Sequence, residues 1–340
     1  MLGCEHDGVK GEQDLRRFPH IWLFATLVLF ALVTPAAVPA ADYPSRTITI
    51  VVPFAPGGLT DVPVRILAAM LQERIGQTIV IENKPGGSGT VGGAFAARAA
   101  ADGYTLFANS AADTQNLHYL AVSYNAIDDF AMIGLIVEGP PLVLIIDAGL
   151  RYKSLAELID DAKAHPNKIS FGTSGPATSP AIALAQLNSF AQTEIVGVPY
   201  RGSGEAARNV AGSAIEGAFA FFSQAKPLVD DGKLRALAVA SPQRIAAWPD
   251  VPTMPELGYP DFDYRGFVGL AAPAKTPLPI VTFLNQRLNE IIQSQPFQER
   301  MQALGMTVPV HNTPAGFLDF MRRETARQGV PASGWLAPGR

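Results

Sequence analysis

From Thr47 onward, short runs of β-branched and other apolar residues alternate with stretches whose apolar positions recur every three or four residues. That alternation predicts strands interleaved with amphipathic helices. "TITIVVPF" (47–54) predicts a first strand, and after "APGGLTD" comes a helix with Val64, Leu67, Ala68, Leu71 and Ile75 on one face. Thr60 or Asp61 is the expected N-cap of that helix. "TIVIEN" (78–83) predicts a second strand, residues 90–101 a second helix, and "YTLFANS" (104–110) a third strand. Further on, the strand-like "LVLII" (142–146) leads into a helix from Ser154, where Ser154 and Glu157 have capping-box spacing. Strands are expected near 169–174, 195–200, 215–222, 234–240 and 267–273, and helices over 279–293, 296–304 and 314–328. The proline-rich region 242–260 reads as an ordered loop. The pattern implies α/β architecture with at least partly parallel sheets. No repeat or low-complexity linker interrupts it, so two domains joined by crossing strands are expected.

The first residues follow a different pattern. Arg16 and Arg17 precede an apolar run from Ile21 to Val33, and a small-residue stretch ends at Ala40. This is the order of a secretory signal peptide, with an apolar stretch short for a bilayer span. Residues 1–40 are therefore expected to be a signal peptide, cut after Ala40 or Ala41. Cys4, the single cysteine, lies in this leader and ahead of the apolar run, so it is not a lipoprotein cysteine. The mature chain then has no disulfide and depends on its core. About 300 residues remain, enough for two ordinary domains. Loss of three basic and four acidic residues moves the net charge from −4 to −3, which attracts neither nucleic acid nor an anionic membrane.

Three predicted strand-to-helix turns share a chemistry: "PGGLTD" (56–61), "PGGSGTVGG" (85–93) and "GTSGPATS" (172–179). Each puts glycine with Ser or Thr just ahead of a helix, where free amides and the positive end of the helix dipole face an anion. Gly87, Gly89 and Gly92 have dinucleotide-loop spacing, but Asn83, Lys84, Pro85 and Gly86 intervene before the first of them. The nearest acid, Asp113, lies beyond the usual distance for a ribose contact. There is no Gly-x-Ser-x-Gly, no His-Glu-x-x-His and no mature cysteine. His118, His165 and His311 are scattered and read as surface residues, and Asp128–Asp129 and Asp160–Asp161 as solvated turn and helix positions. No catalytic residue, metal site or cofactor is expected.

Taken in order, "YPSRTITIVVPFAPGGLTD", "IENKPGGSGTVGG", "DGYTLFA", "VPYRGSGEA", "GKLRALAVASPQR", "PDVPTMPELG" and "GLAAPAKTP" closely resemble the extracytoplasmic solute receptors of tripartite tricarboxylate transporters, the Bug family. The resemblance runs from Tyr43 to about Gln328. It implies a type II periplasmic-binding-protein fold, two α/β domains with a ligand cleft between them. By that analogy domain 1 comprises residues 43–142 plus 265–330, domain 2 residues 143–264, and residues 331–340 a loose tail. The resemblance implies a periplasmic, monomeric receptor that binds a small carboxylate through backbone amides and hydroxyls and delivers it to membrane subunits. A sensor presenting its ligand to a membrane kinase is the alternative, and a periplasmic enzyme a further one.

Carried over by position, the first-domain contacts would be Phe54, Gly57, Gly58, Thr60, Asp61, Gly87, Ser88 and Ser110. Those from the second would be Thr173, Ser174, Thr178, Ser179, Tyr200 and Gly202. Asp61 has an equal claim as a helix cap, Tyr200 as a packing residue, and Phe54 and Phe267 as core. The chain departs from the family at Ala181, where many members have His, and at Ala220, where many have Asp. Those departures lead to the expectation of a more apolar second half of the cleft, and of a monocarboxylate with an apolar or aromatic body.

Overall fold

One strand, longer than any the sequence pattern predicts, organises the whole sheet. In the computed structural model, which describes residues 43–328, the strands are β1 (Ile48–Val52), β2 (Ile79–Asn83), β3 (Thr105–Ser110), β4 (Phe130–Asp147), β5 (Ser170–Thr173), β6 (Val196–Pro199), β7 (Gly217–Phe221), β8 (Leu234–Ala240) and β9 (Arg265–Pro273). The helices are α1 (Asp61–Ile75), α2 (Thr90–Ala97), α3 (Ala111–Tyr119), α4 (Leu155–Ala164), α5 (Ser179–Ala191), α6 (Ser203–Ala211), α7 (Phe222–Asp230), α8 (Leu278–Ile292), α9 (Gln295–Ala303) and α10 (Pro314–Gln328). The expected signal peptide and C-terminal tail lie outside the described residues.

The strand order is β2-β1-β3-β9-β4-β7-β5-β6, with β8 also paired to β4. β1 runs parallel to β2 and β3, and β5 parallel to β6 and β7. β9 is antiparallel to both β3 and β4. The first part of β4, from Phe130 to Pro141, pairs with β9, whereas Leu142 to Asp147 runs between β7 and β8. β4 therefore belongs to both halves of the sheet. Alternation along it feeds separate cores: Leu142, Leu144 and Ile146 enter the large cluster that spans both halves, while Val143 and Ile145 face α6 and α7. Phe130, Met132 and Leu135 enter a third cluster with Phe107, Phe267 and Phe317.

Several boundaries differ from the pattern. The second helix stops at Ala97 instead of 101, because the chain must turn at Asp102–Gly103 into β3. β7 ends at Phe221, and α7 begins at once. Ser154 caps α4 by accepting from the Glu157 amide, but the Glu157 carboxylate reaches the Lys153 amide instead of the Ser154 amide, so the reciprocal bond sits one residue earlier. Phe267 is buried against Phe317 and Phe320 and belongs to the core.

Candidate functional site

The parallel strands of both halves end at one crevice, the position at which open α/β sheets present ligands to helix termini. An inner cavity of about 50 Å³, counted as room for the centre of a water-sized sphere, lies there. Five helices direct their first residues to it: Thr60 precedes α1, Ser110, Ala111 and Ala112 open α3, Thr178, Ser179 and Pro180 open α5, Gly202 and Ser203 open α6, and Phe221 with Gln224 opens α7. Phe54, Leu59 and Ser174 complete the lining together with Gly58. Among the described residues, no acidic or basic side chain lines this cavity. First-turn amides have no helical partner, and the helix dipole adds a partial positive charge. An anion could be held there by backbone alone.

Charged side chains line the two ends of the crevice. An outer mouth, about 400 Å³, lies between Gly86–Gly89 and Ser174–Pro176 and includes Tyr200, Arg201 and Glu205. A rear space, about 260 Å³, includes Gly57, Gly58, Gly204, Arg208 and Gln224. The mouth shares Phe54 and Ser174 with the inner cavity, and the rear space shares Gly58 and Gln224.

The loops are held by side chains that do not face the cavity. Asp61 is 1% exposed and lines none of the three spaces. One of its oxygens accepts from the Gly57 amide at 2.8 Å and from Arg65 Nε at 2.7 Å; the other accepts from Asn83 Nδ2 at 2.8 Å. Burial raises its pKa, but these donors outweigh burial and hold it below the usual carboxylate range. Asn83 also donates to the Phe54 carbonyl, so the network ties β2 to the β1–α1 loop. In the next loop Gly86, Gly87, Ser88 and Gly89 all have positive φ, a left-handed turn that glycine favours and Ser88 adopts at φ +58°. Asn116 of α3 holds that turn by donating to the Ser88 carbonyl at 3.0 Å.

The two halves touch across the crevice. Gln115 Nε2 of α3 donates to Ser179 Oγ of α5 at 2.8 Å, and the Ala55 amide donates to the Arg201 carbonyl at 3.4 Å. Ser88 packs against Gly175, where an added Cβ would lie 2.5 Å from Ser88 Oγ. At the floor of the cavity Ser110 is tied to Asp113, whose carboxylate accepts from the Ser110 amide at 2.7 Å and from Tyr124 at 3.0 Å. Asp113 is 2% exposed, and burial pushes its pKa up to about 6 against the lowering effect of those bonds.

Of the sequence-derived positions, Phe54, Gly58, Thr60, Ser110, Ser174, Thr178, Ser179 and Gly202 line the inner cavity, and Gly87, Ser88 and Tyr200 line its outer mouth. Gly57 lies in the rear space with its amide already given to Asp61. Thr173 lines a separate recess beside Ala181. Ala181 therefore does not shape the inner cavity, and Ala220 is buried on the opposite face of β7 with Val143 and Ala218. The argument for an apolar second half from those two alanines does not hold. Residues that the sequence reading passed over are Leu59, Ala111, Ala112, Pro180, Ser203, Phe221 and Gln224. "RGSGEA" carried a signal for Ser203, since Gly202-Ser203 opens a helix, but nothing marked the junction at Phe221–Gln224.

The family model described as "Tripartite tricarboxylate transporter family receptor" matches residues 64–330. Protein BugT of Bordetella pertussis is 35% identical over 312 residues, covering 90% of this chain and 94% of that protein. Among solved structures, MatC from Rhodopseudomonas palustris with bound malate has a TM-score of 0.80 at 30% identity, covering 84% of this chain and 99% of that one. The R. palustris protein Rpa4515 with adipate has a TM-score of 0.79 at 30% identity, covering 84% and 96%.

Proposed function

Because the chain belongs to the tripartite tricarboxylate transporter receptor family, we propose that it captures a small carboxylate in the inner cavity and delivers it, as a periplasmic monomer, to the membrane subunits of such a transporter. The observation that carries this reading is the convergence of five helix N-termini on a cavity whose lining has no charged side chain. The carboxylate is held by first-turn amides and by the hydroxyls of Thr60, Ser174 and Ser179, and it leaves chemically unchanged. The malate and adipate in the solved relatives support an acidic ligand. Among the described residues no helix is long and apolar enough to cross a membrane.

Micromolar capture corresponds to about 8 kcal/mol. Each helix terminus offers about 0.3 to 1 kcal/mol to an anion, so five fall short of that figure. The remainder comes from desolvating the ligand's carbon skeleton against Phe54, Leu59 and Phe221, at about 25 cal/mol per Å². Both contributions require the crevice to close, and we assign residues 43–142 plus 265–330 and residues 143–264 as the two moving bodies. β4 and the segment entering β9 are the strands that join them.

A thermal-shift screen of small carboxylic acids against their amides and alcohols tests the reading. A ligand at 100 times its dissociation constant adds about 2.7 kcal/mol to stability, which for about 300 residues corresponds to a rise of roughly 4 °C. The expected result is such a rise for one or more acids and none for the neutral analogues. A screen in which no acid raises the melting temperature, or in which amides do so equally, overturns the proposal.

A further inference from the structure

One donor in the inner cavity is left unused by the fold. Gln224, in the first turn of α7, lines both the inner cavity and the rear space. Its Oε1 accepts from Ser203 Oγ at 2.6 Å, which leaves Nε2 as the free end of the carboxamide. Its Nε2 is buried and has no acceptor among the described residues. The carboxamide sits where the two halves meet: a Cβ on Gly58 would be 3.9 Å from Nε2, and a Cβ on Gly204 would be 3.8 Å from Cδ. A buried donor without an acceptor costs about 1 to 3 kcal/mol. The lining around the cavity supplies hydrocarbon from Leu59, Pro180 and Phe221 and hydroxyls from Thr60, Ser174 and Ser179, and none of these accepts from Nε2.

We propose that Gln224 is a specificity-determining residue whose Nε2 donates to a second oxygen acceptor of the bound acid, remote from the carboxylate held by the helix termini. The inference rests on the carboxylate reading of the inner cavity and narrows it: the preferred ligand is a short acid with a carbonyl or a second carboxylate at its far end, not one that ends in hydrocarbon. Recovery of a stranded donor makes the discrimination larger than a gain in contact area alone would give.

The test compares pentanoate, 4-oxopentanoate and glutarate, which share a five-carbon chain and differ at the far end. Calorimetric titration of the purified mature protein and of Gln224→Leu gives the ratio of affinities within each protein, a readout that general weakening of the fold does not change. At least one oxygenated acid is expected to bind the native protein on the order of tenfold tighter than pentanoate, the equivalent of about 1.4 kcal/mol. In Gln224→Leu that ratio is expected to fall below about threefold, the equivalent of less than about 0.7 kcal/mol. Gln224→Glu distinguishes the two sources of the acceptor: it disfavours glutarate through like charge and disfavours 4-oxopentanoate less, so a collapse of glutarate binding alone marks the second group as a carboxylate. Equal binding of all three acids by the native protein, or an unchanged ratio in Gln224→Leu, overturns the proposal while leaving the carboxylate site standing. Absence of binding by every acid overturns both.

Discussion

Asp61 and Asp113 are both buried acids beside the same crevice, and they are held in opposite ways. Asp61 meets Arg65, Asn83 and the Gly57 amide and stays ionised, so its role is to shape the β1–α1 loop. Asp61→Asn should cost about 1 to 3 kcal/mol by stranding these donors, read as a lower urea midpoint, and should weaken ligand binding although the residue lines none of the three spaces. Asp113 has only neutral partners, and its pKa rises from 3.8 to about 6. Between those two values the folded chain holds a proton that the unfolded chain has released. This contribution is complete below pH 3.8 and is lost as pH rises through about 6, a change of roughly 3 kcal/mol. Urea unfolding at several pH values, wild type against Asp113→Asn, should show wild type losing stability relative to the variant between pH 4 and about 7. That Asp61 lies outside the cavity lining could not be read from spacing, since it follows a glycine loop as a binding residue would. Ala181 and Ala220 misled for a related reason: which face of the helix α5 or of the strand β7 meets the cavity depends on packing and register, which a single chain does not reveal.

Among the elements, β4 was half hidden. Its second part, "LVLII", is an uninterrupted apolar run, but its first part contains Gly134, Gly139 and Pro140–Pro141, residues that normally end a strand. The structure admits them through register shifts between Met132 and Gly134, Leu135 and Val137, and Glu138 and Pro141. The strands before each glycine loop were legible because their apolar runs are short and end at Gly or Pro, and the helices at 278–292 and 314–328 because their periodicity is clean. The crossing of β4 and β9 has no spare room. A Cβ on Gly139 would meet the Gly266 backbone at 3.0 Å, and one on Gly266 would lie 2.2 Å from Leu59 Cδ2 and 3.0 Å from Phe221. Leu59 and Phe221 both line the inner cavity. Gly266→Ala should therefore cost about 1 to 3 kcal/mol through overpacking, and should reduce affinity more for bulky acids than for small ones when both are titrated by calorimetry.

On the scale of the whole molecule, the bonds between Gln115 and Ser179 and the contact of Ser88 with Gly175 describe a crevice with its walls together. Ligand should favour this arrangement, and small-angle scattering should record a smaller radius of gyration on addition of a binding acid; an identical profile with and without ligand argues against hinge closure. Gly175→Ala places a methyl group where Ser88 already stands, on a backbone of φ +113°. Affinity should fall at least about tenfold, equivalent to about 1.4 kcal/mol, and Ser88→Gly in the same chain should restore part of it. The uncharged lining of the inner cavity has a consequence for unloading. A guest bound without a counter-ion has no ionic bond to break on the way out, so once the amides splay apart little remains to retain it. Discharge can then be driven by mechanical prising at the membrane, with neither acidification nor a competing anion required.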